Sequence, residues 1–136
     1  MTQTMIQTMI QTPDNFIKNW MNGINNGEIE NLLLFYDKNA VLLPTFSSIV
    51  LKTPAAIRDY FERLSSREEL KVSLHEKTLI VQNLNDEITL LSGIYRWEFK
   101  IDGELLNFEA RFTFGLNLGQ PKPIIHHHSS QIPRML

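Results

Sequence analysis

The hydrophobic residues of this chain change period about halfway along it. Up to about residue 66 they recur at helical spacing, with Phe16, Ile17, Trp20, Met21 and Ile24 on one side of a first helix and Ile57, Tyr60, Phe61 and Leu64 on one side of a later one. Both helices open on Thr-Pro (Thr12-Pro13 and Thr53-Pro54), where the hydroxyl accepts from a first-turn N–H and the proline gives up a donor that the first turn leaves unpaired anyway. Asn25-Asn26-Gly27 stops the first helix and Ser65-Ser66 the last. Between them, Ile29, Leu32, Leu33 and Phe35 predict a short helix from Glu28 to about Tyr36, and Ala40 to Leu43 reads as a strand ended by Pro44.

Past Leu70 the period becomes two. Leu70 to Gln82, Glu87 to Ile101 and Leu105 to Leu118 predict long strands divided by the turn pairs Asn85-Asp86 and Asp102-Gly103, and a last strand, Ile124 to Ser130, follows Gly119-Gln120-Pro121. Helices first and a meander afterwards predict an α+β domain: helices packed on one face of a strongly bent antiparallel sheet, which closes into a cone with a ligand-sized mouth. The expected organisation is one domain over residues 12–136, preceded by a tail or helix extension, residues 1–11, in which QTMI occurs twice.

Alternation separates two faces of the sheet without saying which looks inward. Tyr95, Trp97 and Phe99 alternate with Arg96, Glu98 and Lys100, and Phe108, Ala110, Phe112 and Phe114 alternate with Asn107, Glu109, Arg111 and Thr113. If Arg96 and Arg111 look into the cone, the aromatic face must be covered by a second subunit, which predicts an oligomer. If the aromatic face packs on the helices, the charged face is solvated. Periodicity alone leaves both open.

Composition narrows the chemistry. With 136 residues, 43% of them hydrophobic and 21% charged, the chain has the usage of an ordinary folded domain rather than a disordered one. A net charge of −2 with dispersed cations offers no stripe to neutralise phosphates, so a nucleic-acid partner is not expected. Without cysteine there is no disulfide, no thiolate nucleophile and no cysteine-held metal. No basic-then-apolar leader and no run of about 20 apolar residues occurs, so the expected setting is cytoplasmic, with no membrane partner. Phosphate-binding glycine loops, nucleophile elbows and HExxH strings are absent too.

Imidazole and hydroxyl groups remain. His126-His127-His128-Ser129-Ser130 is the most unusual string, and on a strand it divides: His126, His128 and Ser130 share one face, His127 and Ser129 the other. Two histidines at i and i+2, completed by His75 or by a carboxylate such as Glu109, would make a zinc site. A metal-free pocket in which His127 and Ser129 bind or protonate a small anion is the second reading, and a surface cluster without a role the third. Thr45, at the end of the first strand, and Tyr60, on the apolar side of its helix, each carry a hydroxyl that usually serves only a structural partner. Arg111, among aromatic neighbours, needs an acid or an anionic ligand, and Glu109 is its plain partner.

Taken together, VLLPT (41–45), IRDYFERL (57–64), LLSGIYRWEF (90–99), EARFTF (109–114) and IIHHHSSQIP (124–133) resemble the association-domain branch of the nuclear-transport-factor-like cone fold and, more narrowly, the iota class of carbonic anhydrases. The resemblance runs from about residue 12 to the end. Its kinase-association side implies that Arg96, Arg111 and Ser129 face the pocket, with His127 beside Ser129, and that chains assemble through the sheet as homodimers or larger rings. Its carbonic anhydrase side implies CO2 and bicarbonate as ligands and no cofactor or metal. The catalytic residues it implies are Thr45, Tyr60, His127 and Ser129, with His127 carrying the proton and Arg111 keeping the pocket receptive to an anion.

Overall fold

In the computed structural model, residues 12–133 are described; the N-terminal QTMI copies lie outside them. Both Thr-Pro signals start helices as expected. Thr12 Oγ1 accepts from Asn15 N and Thr53 Oγ1 from Ala56 N, each at 3.2 Å, capping α1 (Pro13–Asn25) and α3 (Pro54–Ser65). The apolar stripe of α1 (Phe16, Ile17, Trp20, Met21, Ile24) is buried, as are Ile57, Phe61 and Leu64 of α3. At about 1.5–3 kcal/mol for each large side chain, this burial is what holds such short helices in place.

The intervening helix is shorter than its composition suggests. α2 covers Ile29–Leu33 only, and the chain extends from Tyr36 as β1 (Tyr36–Leu43). The stretch 70–82 is likewise not one strand. β2 (Lys71–Leu74) and β3 (Ile80–Asn83) are separated by a single 3-10 turn, Glu76–Thr78, in which Thr78 Oγ1 donates to His75 O and accepts from Ile94 N. Both segments pair with β4 (Ile88–Ile101), which runs antiparallel to β5 (Glu104–Asn117). Asp102 and Gly103 join them with φ of 51° and 80°, a tight turn whose left-handed backbone Gly accepts without penalty.

The sheet order is β1-β6-β5-β4-β2, with β3 also on β4, and β6 spans Ile124–Gln131. Because β6 returns beside β1 in parallel, the sheet is mixed rather than wholly antiparallel. Its concave side is lined by Leu91, Tyr95, Trp97, Ala110, Phe112 and Phe114, all buried with the helices. The aromatic face is thus covered within one chain and needs no second subunit. Trp20 of α1 lies at its centre, stacked on Tyr95 at 5.8 Å and edge-on to Phe114 at 5.4 Å. Gly93 permits this packing, since a Cβ there would come within 3.1 Å of the Phe112 ring.

Candidate functional site

A bulge decides which histidine enters the cone. On β6, His126 pairs with Gly115 but Ile124 pairs with Leu116, so Ile125 is an extra residue and the alternation shifts by one. Ile124, His127 and Ser129 are therefore all buried, at 0%, 2% and 4% exposure, while His126 and His128 are exposed. His127 lies against its cross-strand neighbour Phe114, rings stacked at 3.9 Å, with the Trp20 indole edge-on at 5.4 Å.

Both ring nitrogens of His127 are taken by phenols: Tyr36 OH at 2.9 Å from Nδ1 and Tyr95 OH at 3.2 Å from Nε2. A third donor sets the direction of this chain. Trp20 Nε1, which can only donate, gives its proton to Tyr36 OH at 3.2 Å. Tyr36 then has its own proton to place, and His127 Nδ1 is the acceptor that satisfies it. Nε2–H in turn donates to Tyr95 OH, which leaves the Tyr95 proton for the neighbouring Ser129 and Thr45 hydroxyls. Burial, and then the charges of His126 and His128, hold the His127 pKa well below the usual imidazole range, so the ring stays neutral. Burial raises the pKa of Tyr36 and Tyr95, and that of Tyr60 to about 12, so all three remain protonated phenols.

Beyond Tyr95 the sequence-predicted hydroxyls come together. Thr45 Oγ1 and Ser129 Oγ are in direct hydrogen-bond contact, and both help to offset the rise in the Tyr95 pKa. Tyr60 OH accepts from Phe46 N at 3.3 Å, fixing the chain just after Thr45. Thr45 and Ser129 open onto a cleft of about 280 Å³ whose walls include Ser47, Val50, His128 and Gln131. A larger groove, about 660 Å³ between α1 and the β2–β3 segment, is lined by Ile17, Met21, Val72 and Leu79 and lies away from these hydroxyls. The arrangement suits donation to a negative oxygen: neutral O–H groups, pre-aligned in a largely dry setting, with no base among them.

Arg111 is a correction. It pairs with Ser130 and is exposed on the convex side, opposite His127 and Ser129, because its neighbours Ala110 and Phe112 fill the concave side. Arg96 shares that outer face and pairs with Glu98 at 3.2 Å. Glu109, the plain partner foreseen for Arg111, instead meets His75 Nε2 at 2.5 Å. The histidines do not converge either. His127 is turned away from His126 and His128 with both nitrogens engaged, and among the described residues no group of three His, Asp or Glu side chains could hold a metal.

Tyr36, Tyr95 and Trp20 are the site residues that sequence reasoning missed. Periodicity groups Tyr95 with the aromatic packing face and Tyr36 with the end of a helix. The signal available was chemical: a tyrosine on a buried face needs a partner for its hydroxyl.

Among the described residues, no helix is long and apolar enough to cross a membrane. No curated protein matches the chain significantly. Among solved structures, it is similar to a putative calcium/calmodulin-dependent protein kinase II association domain from Xanthomonas campestris, with 27% identity, TM-score 0.78, and 88% of this chain and 85% of that one covered. An NTF2-like protein of unknown function from Pseudomonas putida KT2440 shares the fold at 19% identity and TM-score 0.74, covering 97% and 90% of the two chains. So does a putative dehydratase of the NTF2-like family from Streptomyces avermitilis, at 12% identity and TM-score 0.70, covering 86% and 92%. The sequence profile of the calcium/calmodulin dependent protein kinase II association domain family matches residues 11–133, and the chain belongs to that family, on an NTF2-like cone.

Proposed function

We propose that this chain is a carbonic anhydrase, hydrating CO2 reversibly to bicarbonate at the Thr45–Ser129 pair without a metal. The observation that carries the reading is the contact between those two hydroxyls at the pocket end of a hydrogen-bond chain whose polarity Trp20 sets. Proteins that share the fold include a putative dehydratase and a putative aromatic ring hydroxylase, so an enzyme on this fold is in keeping with its neighbours. The choice of CO2 rests on the resemblance of HHHSS and its companion segments to the iota class.

In this mechanism a water held by Thr45 and Ser129 attacks the carbon of CO2. As the C–O bond forms, a serine or threonine hydroxyl accepts the proton of that water and passes its own to a CO2 oxygen. The product, carbonic acid, then loses a proton to solvent and leaves as bicarbonate. Tyr95, kept a protonated phenol by its burial, bonds to the Thr45–Ser129 pair and polarises the hydroxyls that face the oxygen on which charge develops. His127, neutral and enclosed between two phenols, orients Tyr95 and completes the donor chain instead of taking up the proton itself. Tyr60 holds the Phe46 backbone and through it the position of Thr45.

Stopped-flow CO2 hydration with chelator-treated protein tests the reading. Activity should survive chelation and fall about 10²- to 10³-fold in Ser129→Ala, the usual loss for one donor to a developing oxyanion. Activity restored only by zinc would move the site to the outer histidines, and none at all would leave a non-catalytic ligand-binding module. The association-domain family supports self-assembly, and we propose contact through the outer face of the sheet. Sedimentation of the chain as a monomer would overturn that.

A further inference from the structure

The cone is left uncovered along one edge of its sheet. Val81 of β3 pairs with Leu91 of β4 and so faces the concave side with it, yet Leu91 is fully buried and Val81 is 43% exposed. Among the described residues, β2 and β3 have no strand on their other side, and α1 lies beside them. Asn25 ties the end of α1 to that edge as a neighbouring strand would: its side-chain amide donates to Val72 O at 2.9 Å, and its Oδ1 accepts from Val72 N at 2.7 Å. Beyond this clamp the groove of about 660 Å³ opens, with Ile17, Met21, Leu79 and Val81 among its walls and Asp14 beside them. Val72 and Val81 sit opposite Trp97 and Leu91, about 20 Å apart along β4, and α1 runs about 17 Å from Asn25 back to Asp14, so the groove is open where α1 starts.

The chain supplies a segment at that opening. Thr12 is extended (φ −114°, ψ 163°) and caps α1, so the helix begins at Pro13 and the preceding residues join it at the open end of the groove. Met5, Ile6, Met9 and Ile10 recur at a spacing of four among Thr and Gln, and no charged side chain occurs before Asp14. Met9 lies within about 10 Å of Thr12 and Met5 within about 24 Å, at the reach of an extended chain, so the repeat can line the whole groove. We propose that the QTMI repeat, Met5 to Ile10, occupies this groove in its own chain, with its Met and Ile side chains against Met21, Leu79 and Val81. The tether favours this occupant over the same segment of a second copy: a short linker gives an effective concentration of the millimolar order, about 10³ above a copy free at micromolar concentration. Seated there, the repeat completes the apolar cover of the sheet edge and shields β3, whose bare edge would otherwise be a template for pairing with another chain.

Because the chain contains no cysteine, an engineered pair reports contact without interference. In the full chain, Met9→Cys with Val81→Cys should oxidise to an intramolecular disulfide at least about tenfold faster than Met9→Cys with Leu105→Cys. Leu105 is exposed and pairs with Lys100, about 30 Å further along the sheet than Leu91, the partner of Val81. Adding Met5→Asp to the first pair should slow its oxidation about tenfold, the effect of withdrawing one large apolar side chain from the groove. Near-UV circular dichroism matching the unaltered chain certifies the fold of each variant. The unaltered chain gives an independent reading: with ¹³C-methyl-labelled methionine, the Met5 and Met9 methyls should show nuclear Overhauser contacts to Leu79 and Val81. Equal oxidation rates for the two pairs, or methionine methyls without those contacts, overturn the proposal. Disulfide-linked dimers whose yield rises with protein concentration overturn it in favour of exchange between copies.

Discussion

Strand β6 carries nearly the same chemistry on its two faces and puts it to different use. Inward, His127 and Ser129 are buried, each held by named hydroxyl partners. Outward, His126 and His128 are exposed, and Ser130 sits beside the exposed Arg111. The residue types are the same, so type alone does not make a site. What differs is the opposing layer: the inner face meets Trp20, Tyr36 and Tyr95, which exclude water and supply partners, while the outer face meets solvent in the single chain. The bulge at Ile125 is the switch between the two, since strict alternation from the buried Ile124 would have turned His126 and His128 inward instead.

The largest test of this contrast removes the inner imidazole. His127→Leu keeps most of the volume but leaves the Tyr36 hydroxyl proton without its acceptor and the Tyr95 oxygen without the imidazole donor in a dry core. Unsatisfied buried groups cost about 1–3 kcal/mol apiece, so a loss of about 2–4 kcal/mol is expected in urea unfolding. His128→Ala on the outer face should stay within about 0.5 kcal/mol. Equal losses from the two variants would abolish the distinction between the faces.

A pH series sharpens the same contrast. The folded-state pKa of His127 is depressed from its ordinary value of 6.5, so the unfolded chain takes up a proton near that pH and the native one does not. Its contribution is therefore fully favourable above about pH 6.5 and is lost as the pH falls below it, down toward the folded pKa. The slope reaches at most about 1.4 kcal/mol per pH unit for one proton. His127→Gln, which cannot titrate, should lack that slope, while His128→Gln should retain it. A wild-type stability that is flat between pH 6.5 and 5.5 would mean that His127 is not held neutral.

How far the sequence reached follows the range of the interactions. Thr12 and Thr53 caps, the Asp102-Gly103 turn and the limits of β4 and β5 depend on neighbours within a few residues, and they could be read directly. The break at His75–Thr78 could not, because it is held by the bond from Ile94 N to Thr78, sixteen positions away. Thr45 and Ser129 were named together from resemblance, and they are in contact across 84 positions. The phenol partners of His127 were not foreseen. Apolar spacing carries the predicted helix to Tyr36, but the helix gives way after Leu33, and the bond from Tyr36 to His127 spans 91 positions. Pairing of β1 with β6 in parallel is equally non-local, and it is what brings Tyr36 and Thr45 to the final strand.

Arg111 marks the limit of reading a face from charge, and it provides the smallest predicted effect. A guanidinium among phenylalanines looked like a buried cation awaiting an anion, but in a strand its neighbours in sequence are not its neighbours in space. Phe112 and Ala110 point into the cone and Arg111 away from it, next to Ser130. Arg111→Ala should therefore change stability by less than about 0.5 kcal/mol and leave CO2 hydration at the Thr45–Ser129 pair within about twofold. Long-range attraction from the far side of the sheet would show itself differently, as a weakening that disappears when salt shortens the Debye length to about 3 Å near 1 M. A tenfold loss of activity that persists in high salt would place the guanidinium at the ligand after all, and the assignment of the two faces of β5 would have to be reversed.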